Sequence, residues 1–410
     1  MAQLNITLNQ DEILQLLSAD REDAFKQLLQ DSLNGILNAE STAQLGAEKY
    51  ERSEERTDSR NGSGERKLHT RLGTIDLTVP RHRNVPFKTM IFDNYSRSEA
   101  SLISSMAEMV INGVSTRKVS TVMETLCGTS YSKSMVSEVC KELDQGIESF
   151  KSRPLKDPYP FLMVDATYFK VRENHRIVSK ALFVAYATNS EAHHEVIGFE
   201  VYDNESKETW LKFFTFLKKR GLTGVRMITS DSHQGIVNAV SKVFPEVPWQ
   251  RCQTHFSRNI LEKTPAKYKK GLHSELLEMY NSKDVEEARR IRDSILNEYT
   301  PVAPGATECL DEGFDSVMTV MALPDAVRRF HRTSNHIERL NRELKRRSNA
   351  IGVFPNVESV IRVMGSVLME YHDKALSAPK LYSGKAGKEV EERIPELSRI
   401  ALEQQKLLAA

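Results

Sequence analysis

The chain has 410 residues, enough for two to three domains at about 150 residues each and for a sizeable core without disulfide staples. Charged residues make up 28% and hydrophobic ones 40%, ordinary for a soluble globular protein, and 57 Lys+Arg against 56 Asp+Glu leave a formal net charge of +1. That balance speaks against a uniformly basic, histone-like binder, and no run approaches the roughly 18 apolar residues of a membrane-spanning helix, so no membrane partner is expected.

In chain order, the N-terminus lacks a basic segment followed by an apolar run, so no secretory leader is expected. Residues 10–48 are predicted helical, because Ile13, Leu14, Leu16 and Leu17, then Phe25, Leu28, Leu29, Leu33 and Ile36, recur at helical spacing. Residues 49–64 are polar and Gly/Ser-bearing and read as a linker. A hairpin is expected next, where Ile75, Leu77 and Val79 alternate with Thr74, Asp76 and Thr78. Its flanks are basic: Arg66, Lys67, Arg71, Arg81, Arg83 and Lys88 against two acids give residues 61–90 a net of +4.

Residues 99–149 read as three helices, with Met106 and Val110, Val119 and Met123, and Val136 and Val139 on their apolar stripes, and Ser115 and Ser132 as N-caps. The outline fits a helix-turn-helix that offers Arg117, Lys118 and Lys133 to DNA, and fits a plain three-helix bundle equally well. From Pro154 the character changes. Strands are expected at 161–164, 178–187, 194–202, 225–231 and 247–252, with helices over 208–222 and after Asp231. Strands in a row followed by strand–helix alternation indicate an α/β domain with a mixed five-stranded sheet. Residues 256–330 turn helical and acidic, with eleven acids against four bases over 272–315, a net of −7. Residues 333–375 read as helical with a basic opening.

Asp165 and Asp231 each end an apolar strand run, where a charge is excluded unless it is used. Carboxylates at the ends of neighbouring strands suit hard divalent cations, and a third acid on an adjacent helix would complete a two-metal site. A cap or turn role accounts for the same two residues. Cys252 and His255 form a C-x-x-H pair. With no C-x-x-C and no second pair nearby, a zinc site or disulfide framework is not expected, and a buried thiol with a hydrogen-bonded His is. The four cysteines, thinly spread, suggest a reducing, cytoplasmic setting. His233 reads either as a contact to DNA or a leaving oxygen, or as a helix cap.

DATYFKVR at 165–172, SDSHQG at 230–235, QRCQTHFSRNIL at 250–261 and SNHIERLNRELKRR at 334–347 occur in that order. Together they resemble the Mutator-like bacterial insertion-sequence transposases of the DDE group. The resemblance covers about residues 60–350 and implies a ribonuclease-H-like catalytic domain, with Asp165, Asp231 and Glu338 as the catalytic and metal-holding acids. It implies two Mg²⁺ ions per site (Mn²⁺ substituting), DNA cleavage and strand transfer, and a circular excised intermediate. Ala166, Ser232 and Thr333-Ser334 depart from the family's usual Gly, Ala and Thr-Thr, small for small, and leave the acids intact.

Glu343 is the rival third acid, but five residues from Glu338 is about 140° around a helix, so both cannot face one site. Asn335, Glu338, Asn341 and Arg342 share a face, whereas Glu343 is expected to pair with Arg339, Arg346 or Arg347.

The resulting layout is a helical association region over 1–60, a basic hairpin and linker over 61–98, and a three-helix unit over 99–150. A catalytic domain at 155–261 and 331–375 follows, interrupted by an all-α insertion over 262–330, and the chain ends in a tail at 376–410. Double-stranded DNA, both terminal inverted repeats and target, is the expected partner. Arg66, Lys67, Arg71, Arg81, Arg83, Arg117, Lys118 and Lys133 are candidates to hold the element end; Arg251, Arg258, Arg342, Lys345, Arg346 and Arg347 are candidates to grip phosphates beside the cut. Joining two ends requires at least a homodimer, and a nucleoid-associated location follows. Two other readings use the same residues: a domesticated DNA-binding protein without catalysis, and a ribonuclease-H-like nuclease without end specificity.

Overall fold

The structure, a computed structural model, describes residues 21–51, 56–70, 73–89, 100–112, 114, 116–127, 131–141 and 143–409. Residues 10–20 of the N-terminal helical reading, Arg71, Ser115 and most of the turn before Ser132 lie outside these. The chain divides into two compact units, residues 1–142 and 143–410.

In the first unit, helix α1 (Arg21–Leu45) lies on an antiparallel hairpin of β1 (Arg60–Thr70) and β2 (Gly73–His82). Leu37 of α1 is buried with Leu68, Ile75 and Leu77, the inward residues of the alternating pattern. The expected linker is shorter than its composition suggests, since Arg60–Gly64 are strand: Arg60 pairs with His82 and Gly64 with Val79. Polar strand residues form here because α1 covers only one sheet face. Three short helices follow, α2 (Ala100–Ile111), α3 (Thr116–Cys127) and α4 (Lys133–Lys141). Met106, Val119, Met123, Val136 and Val139 are buried, and the Ser132 hydroxyl accepts the Met135 N–H at 3.1 Å, as an N-cap does.

The second unit opens with a fourth helix, α5 (Leu143–Ser152), at the end of the stretch that reads as three. It belongs with the sheet because Ile147 is buried against Gly365, and Asp144 takes a bidentate pair of 2.6 Å bonds from Arg362. The mixed sheet has the order β5–β4–β3–β6–β7, formed by β3 (Phe161–Glu173), β4 (Arg176–Thr188), β5 (His194–Tyr202), β6 (Met227–Ser230) and β7 (Trp249–Arg251). The first three strands in sequence are antiparallel, and β6 and β7 run parallel to β3.

Asp165 does not end its strand. β3 continues to Glu173, because Thr167, Phe169 and Val171 stay buried while Tyr168, Lys170 and Arg172 face out. One sheet face buries Leu162, Val164, Phe183 and Ile228 against Trp210, Phe213 and Phe214 of α6 (Lys207–Lys219) and Ile236 and Val240 of α7 (Gln234–Val243).

Between β7 and the last long helices stand α8 (Gln253–Glu262), α9 (Lys269–Tyr280), α10 (Val285–Tyr299), α11 (Pro304–Met318) and α12 (Asp325–His331). Helices α8–α11 share a core of their own, with Phe256, Leu276, Ile295, Leu310 and Phe314 fully buried, whereas Val327 of α12 packs with Phe161 and Met227 of the sheet. Helix α13 (Asn335–Ile351) then packs on β3, and α14 (Val357–Leu376) covers β5. Residues 376–410, expected only as a tail, carry α15 (Gly384–Glu392) and α16 (Ile394–Ala409), whose Val390 and Leu397 seal Phe161 and Met227. Gln404 of α16 bonds both backbone groups of Trp249 on β7, each at 2.8 Å.

Candidate active site

The β3–β6 register runs Phe161–Met227, Leu162–Ile228 and Met163–Thr229. Asp165 lies two residues beyond Met163 on β3, and Asp231 directly follows the last residue of β6, Ser230. Asp165 Oδ1 accepts the Ala166 N–H at 2.9 Å, and Oδ2 accepts Asn341 Nδ2 at 2.7 Å. Burial, and then the neighbouring Asp231 carboxylate, push the pKa of Asp165 up to about 7. Asp231 Oδ1 accepts the His233 N–H at 3.2 Å as the chain turns into α7.

Glu338 lies in the first turn of α13, one turn before Asn341 and on the same face. Its Oε1 is 3.4 Å from His255 Nε2 and 3.4 Å from Ser334 Oγ. The buried Cys252 Sγ accepts from the Ser334 N–H at 3.3 Å and from its hydroxyl at 3.1 Å. Burial pushes this thiol up, but His255 and Ser334 beside it outweigh burial and hold it below its ordinary value. Cys252 in turn raises His255 to about 9. The C-x-x-H pair therefore reaches Glu338 itself, beyond the loop-fixing role expected from sequence. Glu343 points elsewhere and pairs with Arg346 at 2.8 Å and Arg347 at 3.2 Å.

His233 caps α7, its Nδ1 accepting the Gly235 N–H at 3.2 Å. Glu205, which nothing in the sequence marks among the acids of DNESKE, sits 3.5 Å from that Nδ1 and accepts Trp210 Nε1 at 3.1 Å. Burial raises its pKa, and Asp231 adds to the rise.

The basic candidates are placed as follows. Arg342, Lys345 and Arg346 are exposed on α13, and Lys345 Nζ donates to the Tyr168 carbonyl at 2.6 Å. Arg339, Arg342, Arg346 and Lys374 line a cavity of about 610 Å³ between α13 and α14. Arg258 is exposed on α8, whereas Arg347 is buried against Glu343 and Arg251 is half-buried over the Phe256 ring at 4.4 Å. In the first unit Lys67, Arg81, Arg83, Arg117, Lys118 and Lys133 are exposed and Arg66 is half-buried.

The family model described as transposase, Mutator family, matches residues 1–378. The transposase for insertion sequence element IS256 in transposon Tn4001 of Staphylococcus aureus is 38% identical, over 93% of this chain and 99% of that relative. The transposase for element ISRM5 of Rhizobium meliloti is 36% identical over 87% and 89% of the two chains. The transposase for IS1081 of Mycobacterium tuberculosis is 38% identical over 86% and 85%. With a family model matching residues 1–378 and relatives at 36–38% identity over most of the chain, the protein belongs to the Mutator family of transposases.

Proposed function

We propose that the chain cuts and joins the ends of its own insertion sequence by DDE chemistry, with Asp165, Asp231 and Glu338 as the acids. The observation that carries this is the closeness of the Asp165 and Asp231 carboxylates, the second raising the pKa of the first, with Asp165 tied to the Glu338 helix by the 2.7 Å bond from Asn341. The strand order, with three antiparallel strands followed by two parallel ones, supports a ribonuclease-H-like domain. The separate core that α9–α11 build together with α8 supports the reading of residues 262–330 as an insertion between the second and third acids.

The donor set suits a hard divalent cation. Asp165 is a carboxylate removed from water beside a second one, an arrangement that a cation relieves, and the Asn341 Oδ1 is buried without a hydrogen bond. Asp165, Asp231 and Glu338 would hold two Mg²⁺ ions, with Mn²⁺ as substitute, and the ions would supply Lewis-acid activation of the attacking group and charge neutralisation at the leaving 3′ oxygen. Asn341 fixes the direction of the Asp165 carboxylate. His233 holds the start of α7 through its Nδ1. Arg342, Lys345, Arg346 and Arg258 hold backbone phosphates around the cut, while the hairpin and α3–α4 hold the terminal inverted repeat. Two ends joined in one reaction call for at least a dimer, and the excised product is a circle.

Purified protein with Mg²⁺ or Mn²⁺ should nick a labelled element end and leave a scrambled end uncut. Asp165→Asn, Asp231→Asn and Glu338→Gln should each lower the rate by about 1,000-fold or more while end binding persists, since each removes several kcal/mol of charge stabilisation. Normal cutting by Glu338→Gln together with a dead Glu343→Gln would reject the third acid.

A further inference from the structure

Among the described residues, one group of three metal-ligating side chains has all its donor atoms within 4.8 Å of one another: Cys252, His255 and Glu338. These residues come from two elements. Cys252 caps α8 directly after β7, His255 lies in the first turn of α8, and Glu338 in the first turn of α13. The Ser334 N–H and hydroxyl hold Cys252 Sγ in place, and His255 Nε2 is already 3.4 Å from Glu338 Oε1. His255 Nδ1 is buried and makes no hydrogen bond.

This set differs in kind from the aspartate pair beside it. Asp165 and Asp231 offer only oxygen and suit Mg²⁺, whereas thiolate and imidazole select borderline-soft ions such as Zn²⁺. Three protein ligands with one open position is a common zinc arrangement, and each ligand type present is one zinc uses.

We propose that Cys252, His255 and Glu338 form a second metal site, selective for Zn²⁺-class ions, which shares Glu338 with the catalytic acids. Zinc held there takes the Glu338 carboxylate away from Asp165 and Asp231, so the same ion that binds tightly inhibits the Mg²⁺-dependent reaction. With Mg²⁺ alone the thiol is left uncoordinated and Glu338 stays available. The inhibitory part rests on the catalytic reading of Glu338, and the binding part does not.

Co²⁺ serves as the spectroscopic stand-in for zinc. Titrated into the full-length protein in excess Mg²⁺, it should give a thiolate-to-cobalt charge-transfer band in the near ultraviolet saturating at one equivalent, which Zn²⁺ abolishes. Cys252→Ser should lose the band and Cys309→Ser keep it. Glu338→Gln, a near-isosteric change at a half-buried position, should weaken Co²⁺ binding at least tenfold while the far-ultraviolet circular dichroism stays that of the wild type. A wild-type protein without the band, or a Glu338→Gln variant with unchanged Co²⁺ affinity, overturns the site. In cleavage assays Zn²⁺ should raise the Mg²⁺ concentration needed for half-maximal cutting. Should Glu338→Gln instead cut normally while the wild-type band is present, the catalytic reading and the inhibition fall and the metal site stands.

Discussion

At the residue scale, Asn341 is the side chain whose removal is most informative. It donates to Asp165 Oδ2 at 2.7 Å from the helix that carries Glu338, so it sets both the direction of one acid and the approach of the other. Partners of this kind typically contribute 10- to 100-fold in metal affinity. Asn341→Ala should therefore raise the Mg²⁺ concentration for half-maximal cleavage by about tenfold, and weaken Mn²⁺ binding measured by electron paramagnetic resonance to a similar degree. An unchanged Mg²⁺ requirement would mean that Asn341 only packs. The three proposed acids could be picked out in the sequence because each stands in a motif at a fixed place in an apolar or polar pattern. Asn341 was legible only as one member of a helix face, since its partner lies 176 positions away. Glu205 was not legible at all: a loop acid looks like solvated charge until Trp210 and His233 are folded around it.

At the scale of elements, β5 and α12 meet through histidines. His194 of β5 and His331 of α12 are almost wholly buried, with ring centroids 6.4 Å apart, and His331 stacks on Phe161 at 3.8 Å. Burial, reinforced by His336, holds His194 down to about 3, and burial with His194 holds His331 well below its ordinary value. Both rings are neutral in the folded chain, while each protonates near 6.5 once unfolded. Stability is therefore full above about pH 6.5 and declines as pH falls towards 3, by about 1.4 kcal/mol per pH unit for each ring. Urea denaturation should show a midpoint that drops between about pH 7 and pH 5, and a constant midpoint would contradict the buried neutral pair. Periodicity located the five strands of the sheet and most helices. It missed the second half of β3, because the run of four apolar residues before Asp165 looks complete, and the alternation after it begins on the far side of a charge. It also missed that α5 belongs to the second unit, since a short amphipathic helix does not announce which core receives Ile147.

At the scale of the molecule, a net charge of +1 conceals a basic protein carrying an acidic helical unit. Residues 272–315 contribute −7, leaving +8 for the rest, with dense clusters at 61–90 and along α13. Binding to the element end should weaken steeply with salt. The double change Arg81→Gln with Arg83→Gln should flatten the plot of log affinity against log salt by about 0.9 for each DNA phosphate that the hairpin no longer neutralises. An unaltered slope would remove the hairpin from the DNA interface. The charge pattern could be read from sequence, but which surfaces remain open to partners could not. Strand β7 is the three-residue margin of the sheet, and its outer backbone groups at Trp249 are occupied by the Gln404 amide, which stands in for one residue of a missing strand. An unprotected margin of this kind is a template on which a second chain can extend the sheet. Gln404 thus acts as an insulator: this border of the sheet is withheld from edge-to-edge growth by a second chain.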